Sequence, residues 1–330
     1  MKLPFKKMPF SGSKKDAFVG VILFVVLLLI GILSPDSIVD FVSKVVIMML
    51  FAASLNIILG FGGLRPLGHA TFMGLGGYMY VVLAVRCRMT LGASLVLSLV
   101  IALVSALALG YLTLKSDSDM AFAFMNMGIN ILLWTMVQKI PFLGSDTGLA
   151  AAVRLPFAQS SKANYMLALV VCTVCIILIY LFYKSPFATV LQGSRENDER
   201  LRFLGINTRT IRLVAYVIAG MFAAISGILY AMRNMGAYPT MLASNTSLEG
   251  LIMCLIGGMY SFFGPILGAA IETTVSTELP IFTRYYQAIL GIIVVLCVLF
   301  LQGGLLKKRK VVIGQATESA KLSDDKGRRQ

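Results

Sequence analysis

Six polar side chains interrupt the long apolar runs of this 330-residue chain: Asn56, His69, Asn126, Asn130, Glu249 and Glu272. An ionisable group held in apolar surroundings is costly. Where one persists it marks an ion or solute path, or a proton relay. His69 is the only histidine; it reads either as a relay, since imidazole titrates near neutrality, or as a structural hydrogen-bonder at a helix start. Glu249 and Glu272 read either as path-lining carboxylates or as groups at a membrane interface. Cys172-Thr-Val-Cys175 has the spacing of a metal or redox pair. With no second pair and no nearby histidine, these are two small buried side chains on one helix. No metal site and no catalytic set is indicated. No Gly-Lys dipeptide occurs, so the chain carries no Walker A loop and no ATP cofactor of its own.

The elements that must hold these groups follow from composition. Hydrophobic residues make up 58% of the chain and charged residues 13%, against about 25% charged in ordinary soluble domains. A soluble globule of this size lacks the interior to hide that apolar surface. The pattern excludes a soluble enzyme, a disordered protein and a disulfide scaffold. It predicts an all-α polytopic membrane protein with about 8–10 transmembrane helices. Crossing a bilayer takes about 20 apolar residues. Runs of that kind cover Ala17–Leu33, Ile38–Leu59, Pro66–Val85, Leu91–Leu114, Met120–Val137, Tyr165–Tyr183, Leu213–Met232, an interrupted Leu248–Thr274, and Tyr285–Leu301. The transmembrane unit is 17–302, with a polar external loop at 139–164. Residues 1–16 and 303–330 are basic tails, the second reading as disordered.

The net charge of +14 is concentrated in blocks. Lys2, Lys6, Lys7, Lys14 and Lys15 precede the first run. Lys184, Arg195, Arg200, Arg202, Arg209 and Arg212 lie in 184–212, and Lys307-Lys308-Arg309-Lys310 opens the last tail. The positive-inside rule places all three blocks, and therefore both termini, in the cytoplasm. Basic ends beside anionic membrane lipid account for the charge without a nucleic acid partner. Counting Leu248–Thr274 as one crossing gives nine and would put the last tail outside. Two alternatives restore parity: a re-entrant pair of half-helices broken at Gly257-Gly258 through Gly264-Pro265, or a tenth full span within Glu249–Tyr286.

A second glycine-rich interruption, Gly60-Phe61-Gly62-Gly63 through Gly68-His69, lies in the first half. Each half thus carries Gly/Pro-interrupted half-helices, the best sequence pointer to a solute path near the bilayer midplane. The candidate path residues are Asn56, Gly62, Gly63, His69, Glu249, Gly257 and Gly258. Helix packing by small residues, as in Ala102-xxx-Ala106-xxx-Gly110, is the competing reading.

Between Lys184 and Arg212 the sequence Arg195-Glu196-Asn197-Asp198-Glu199-Arg200-Leu201-Arg202-Phe203-Leu204-Gly205 predicts one short amphipathic helix. Acidic residues come first and basic ones later, matching the helix dipole. Glu196–Arg200 and Glu199–Arg202 have helical spacing. Leu201 and Leu204 share a face, and Gly205 ends the helix. Alone such a helix is marginal, which points to docking on a partner.

Three blocks, in order, carry a family resemblance. Leu55-Asn56-Ile57-Ile58-Leu59-Gly60-Phe61-Gly62-Gly63 leads into Leu67-Gly68-His69-Ala70-Thr71-Phe72. Arg195-Glu196-Asn197 leads to Leu204-Gly205-Ile206-Asn207. Leu248-Glu249 leads to Ile256-Gly257-Gly258 and Gly264-Pro265-Ile266-Leu267-Gly268-Ala269. Together they resemble the second permease type of branched-chain amino acid ABC importers, over roughly Leu50 to Leu301. The resemblance implies a bacterial inner-membrane permease paired with a second permease subunit, two ATPase subunits that bind the ATP, and an external solute-binding protein. Arg195, Glu196, Asn197, Leu204 and Gly205, with Arg200 and Leu201 of the same segment, would couple to the ATPase. Arg65-Pro66 stands where the family often has Ser, and Leu143-Gly144-Ser145-Asp146-Thr147-Gly148 departs from the family's external loop. Relatives handle urea, amides and aromatic acids, so the resemblance leaves the solute open. A stand-alone ion-coupled secondary transporter using Glu249, Glu272 or His69 is the alternative reading.

Overall fold

The computed structural model describes residues 14–283, except 117 and 152, and isolated positions from 285 to 295. The first tail up to residue 13, most of the run expected at Tyr285–Leu301 and the tail 303–330 lie outside the described residues. The chain is helical almost throughout. Helix α1 is Lys14–Leu33, α2 Asp36–Asn56, α3 Ala70–Val85, α4 Leu91–Thr113, α5 Asp119–Lys139, α6 Ser161–Lys184, α7 Pro186–Glu196, α8 Asp198–Phe203, α9 Thr208–Arg233, α10 Ser244–Gly257 and α11 Gly264–Phe282. Two residues of β1, Leu149–Ala150, pair antiparallel with β2, Gly236–Ala237.

Helix α2 is the axis of the molecule. Every residue from Val45 to Asn56 is buried, among α6, α9, α10 and α11. A helix apolar on all sides must be surrounded by protein or lipid; here it is protein. The outer helices meet the centre along narrow seams of small residues. On α4 the buried positions Ser94, Ser98, Ala102, Ala106 and Gly110 recur every fourth residue, while Val96, Val104 and Leu112 between them are exposed. Met120, Phe124, Val174 and Leu181 on α5 and α6 are exposed likewise. Continuous apolar exposure on this scale fits a lipid environment and no aqueous one. Where backbones touch, glycine permits it: a Cβ on Gly76 would meet Ala224, and one on Gly227 would meet the Met73 carbonyl. These two contacts join α3 to α9.

The two ends differ. One, the basic end, carries 184–212. At the other, Arg233 at the end of α9 pairs with Asp40 at the start of α2, 2.5 Å apart. The buried Arg154 guanidinium donates there to the carbonyls of Met232, Gln159 and Arg233, capping the last turn of α9.

The first broken segment falls where expected. After α2 the helix loosens into a π turn, Ile57–Phe61, an irregular stretch follows, and α3 begins only at Ala70. The second does not. The expected break at Gly257–Pro265 is a tight turn between two helices, with Gly258 at φ +105°. The irregular stretch lies earlier, at residues 234–243, and holds Gly236, Pro239 and a 3-10 turn, Pro239–Leu242. Its polar residues mimic an external loop. Helix α10, with 14 residues, is about 21 Å long, short of the roughly 30 Å hydrocarbon core. The hairpin of α10 and α11 reaches the basic end, where Tyr260 at its tip meets Arg195. It is closed by Gly257 against the Gly264 carbonyl and Gly268 against the Met253 carbonyl. Helix α11 then returns along α2 as far as Lys44, whose ammonium donates to Thr277 Oγ1 at 3.0 Å.

Candidate functional site

Two polar centres stand out, one at mid-depth and one at the basic end. At mid-depth the N-termini of the half-helices α3 and α10 meet. The Ala70 amide donates to Ser247 Oγ at 2.9 Å. Asn130, at the middle of α5, donates through Nδ2 to Thr71 Oγ1 and to the Leu242 carbonyl, each at 3.0 Å. Its Oδ1 accepts from Ser244 at 3.2 Å. One amide thus ties α3, α5 and the segment entering α10. Asn126, one turn earlier, accepts from the Tyr216 hydroxyl of α9.

His69 is fully buried beside this junction. Ser54 gives its one hydroxyl proton to the Phe51 carbonyl at 2.7 Å. The imidazole Nε2–H therefore donates to Ser54, 3.0 Å away. Nδ1 is left an acceptor without a partner among the described residues. Glu249 sits elsewhere, half-buried, in electrostatic reach of Glu272 and Lys44 between α2, α10 and α11. Glu272 is 1% exposed and its Oε1 has no partner among the described residues. A cavity of about 470 Å³ lies away from both groups, between α1, α2, α6 and the start of α11, with an apolar lining.

At the basic end, the segment expected as one helix from Arg195 is two. Asn197 takes an extended conformation (φ −159°, ψ 100°) and its Oδ1 accepts from the Arg200 amide at 2.8 Å. It is a helix cap, so Arg195 and Glu196 end α7 and Asp198 begins α8. The expected Glu196–Arg200 pair straddles this break. The ion pairs that form are Asp198–Arg202 at 2.7 Å and Asp198–Arg212 at 3.7 Å. Arg212 also donates to the Ser194 carbonyl at 2.9 Å, which clamps α7, α8 and α9 together. Leu201 turns inward toward Gly193; Leu204 is 67% exposed and Phe203 is 90% exposed. The shared Leu201–Leu204 face is therefore replaced by an exposed Phe203–Leu204 pair. Gly205 ends the segment as expected, at φ +78°.

Of the expected path residues, four gather at the basic end instead of mid-depth. Asn56 donates toward the Tyr183 hydroxyl and the Ser261 carbonyl, at 3.4 and 3.5 Å. Gly62 and Gly63 follow it, and Gly258 opens the hairpin tip beside them. Gly257 serves helix contact. Composition pointed to Asn130 as a polar group within a span; nothing in the sequence singled out Ser54, Thr71, Ser244 or Ser247, since isolated hydroxyls are common in apolar helices.

The family described as branched-chain amino acid transport system / permease component matches residues 37–299. The chain belongs to that family. The high-affinity branched-chain amino acid transport system permease protein LivM of Escherichia coli K12 is 25% identical to it over 297 residues, covering 81% of this chain and 69% of its own. LivM of Salmonella typhimurium LT2 gives the same figures. The autoinducer 2 import system permease protein LsrC of Escherichia coli O9:H4 is 26% identical over 183 residues, about half of each chain. No solved structure matches. Family and fold together make this branched-chain-type permease a multi-pass inner-membrane protein.

Proposed function

We propose that the chain is the transmembrane permease subunit of an ATP-driven importer for branched-chain amino acids or a related small polar solute. A second permease subunit, two ATPase subunits and an external solute-binding protein complete the assembly, and ATP is bound and hydrolysed by the ATPase subunits. The basic end faces the cytoplasm, with both termini. The observation that carries this reading is the exposed Phe203–Leu204 pair. Large apolar side chains on a polar, charged end are unfavourable in water and fit a hydrophobic groove on a partner. Substrate passes along the broken segments, past the α3–α10 junction and His69, by alternating access.

A tag on this chain, gentle extraction from the native membrane and mass identification of what accompanies it test the reading. Recovery of a second permease and an ATPase, with ATP-dependent uptake of labelled leucine by the reconstituted assembly, supports it. A chain recovered alone that carries leucine under an ion gradient would establish the secondary-transporter alternative through Glu249 and Glu272. Phe203→Ser with Leu204→Ser should remove most of the co-purifying ATPase and leave insertion unchanged. Undiminished recovery of ATPase would sink the assigned surface.

A further inference from the structure

Arg195 belongs to the coupling segment, yet its side chain points into the membrane bundle and away from the exposed Phe203–Leu204 pair. Its Nη1 donates to the Gly60 carbonyl at 2.5 Å. That carbonyl lies in the π turn, where the regular helical ladder is disturbed and oxygens are free to accept. Its guanidinium carbon lies 4.5 Å from the centre of the Tyr260 ring, the geometry of a cation held over an aromatic face. Its aliphatic stem fills the space over Gly63, where a Cβ would collide with Cγ and Cδ. No carboxylate pairs with Arg195 among the described residues. The charge is held by a backbone dipole and a π face, one from each half of the chain.

The surroundings fix this arrangement. Phe61 stacks on Tyr183 with centroids 4.0 Å apart. Asn56 reaches both Tyr183 and the Ser261 carbonyl. Gly60 lies so close to the Met259 carbonyl that a Cβ would not fit. The end of α2, the end of α6 and the tip of the α10–α11 hairpin thus meet at one point, and Arg195 is the group from the coupling segment that enters it.

We infer that Arg195 is the positioning residue that transmits movement of the coupling segment to the broken segment after α2 and to the α10–α11 hairpin at once. A displacement of α7 pulls on the Gly60 carbonyl and on Tyr260 together, so both halves move in step. The role rests on the importer reading, but it assigns Arg195 inward, not to the ATPase groove.

The test is hydrogen exchange on the purified assembly, with and without ATP and vanadate, for wild type, Arg195→Gln, Tyr260→Leu and Tyr260→Phe. In wild type and Tyr260→Phe, nucleotide should alter exchange in 195–205, 57–63 and 258–263. In Tyr260→Leu the response at 258–263 should fall at least fivefold while 195–205 still responds. Arg195→Gln should also silence 57–63, with the ATPase still attached. A response at 258–263 that survives in Tyr260→Leu and Arg195→Gln overturns the inference, as does loss of the ATPase from Arg195→Gln. If Arg195→Gln fails to fold, the Leu and Phe variants at 260 decide alone. An absence of any nucleotide response in wild type would refute the importer reading instead.

Discussion

Gly63 and Gly205 share a backbone conformation, at φ +72° and φ +78°, but not their surroundings. A side chain at 205 would meet nothing within 4 Å; one at 63 would run into Arg195. Asparagine tolerates the left-handed region better than other side chains, which pay about 1–2 kcal/mol there. Gly205→Asn should therefore cost about 1 kcal/mol or less and keep ATP-driven uptake. Gly63→Asn should displace Arg195 and reduce uptake at least tenfold. The thermal midpoint in detergent and leucine uptake check this, and similar behaviour of the two variants would contradict it. The glycine cluster and the stop at Gly205 were legible in the sequence, since both are local. The direction of Arg195 was not, because its carbonyl partner is 135 residues away. The same holds for His69: its lone occurrence was visible, its Ser54 partner was not.

Helix α8 has six residues, well below the length at which a helix persists alone in water. Three local devices hold it: the Asn197 cap, the Asp198–Arg202 pair and the Asp198–Arg212 pair. Loss of a cap costs about 1 kcal/mol, small for the whole molecule and large for one helical turn and a half. Asn197→Ala should leave the global thermal midpoint within about 2 °C of wild type. It should raise amide exchange across 198–203 and lower ATPase recovery with the tagged chain. Asn197→Asp, which retains a capping oxygen, should restore both; a failure to restore them would mean the cap is not what holds α8. An amphipathic segment was readable here from charge order alone. Its division was missed because opposite charges at helical spacing were weighed above Asn197-Asp198-Glu199, an Asn followed by acidic residues, which is itself a helix-start signal. The physics of the backbone cap outweighs that of an exposed pair, which is worth a fraction of a kcal/mol.

At the scale of the molecule, the order α2, irregular stretch, α3 is repeated by α9, irregular stretch, α10 in the opposite sense. The first runs to the basic end and returns from mid-depth; the second runs to the far end and returns from mid-depth. The two half-helix starts then meet at Ala70 and Ser247. Irregular backbone at this depth persists because protein surrounds it, and Asn130 supplies the hydrogen bonds that lipid could not. Hydropathy found the first break, whose glycines interrupt an apolar run. It missed the second, whose Asn234, Tyr238, Thr240 and Asn245 read as a loop in water. The proposed orientation, with the basic end inside, requires the far end to face out, and the chain carries its own probe of that orientation. Cys87, between α3 and α4 at the far end, is exposed, whereas Cys172, Cys175 and Cys254 are buried. With Cys297 replaced by Ser in every variant, a membrane-impermeant maleimide applied to spheroplasts should modify the chain that keeps Cys87 and leave Cys87→Ser unmodified. In the background lacking both Cys87 and Cys297, Phe203→Cys should react in inverted vesicles and stay protected in spheroplasts until the membrane is permeabilised. Reaction of Phe203→Cys from outside would invert the topology. The solute-binding protein and the ATPase would then face the wrong ends of the molecule, so this single labelling pattern bears on the direction of transport as well as on the fold.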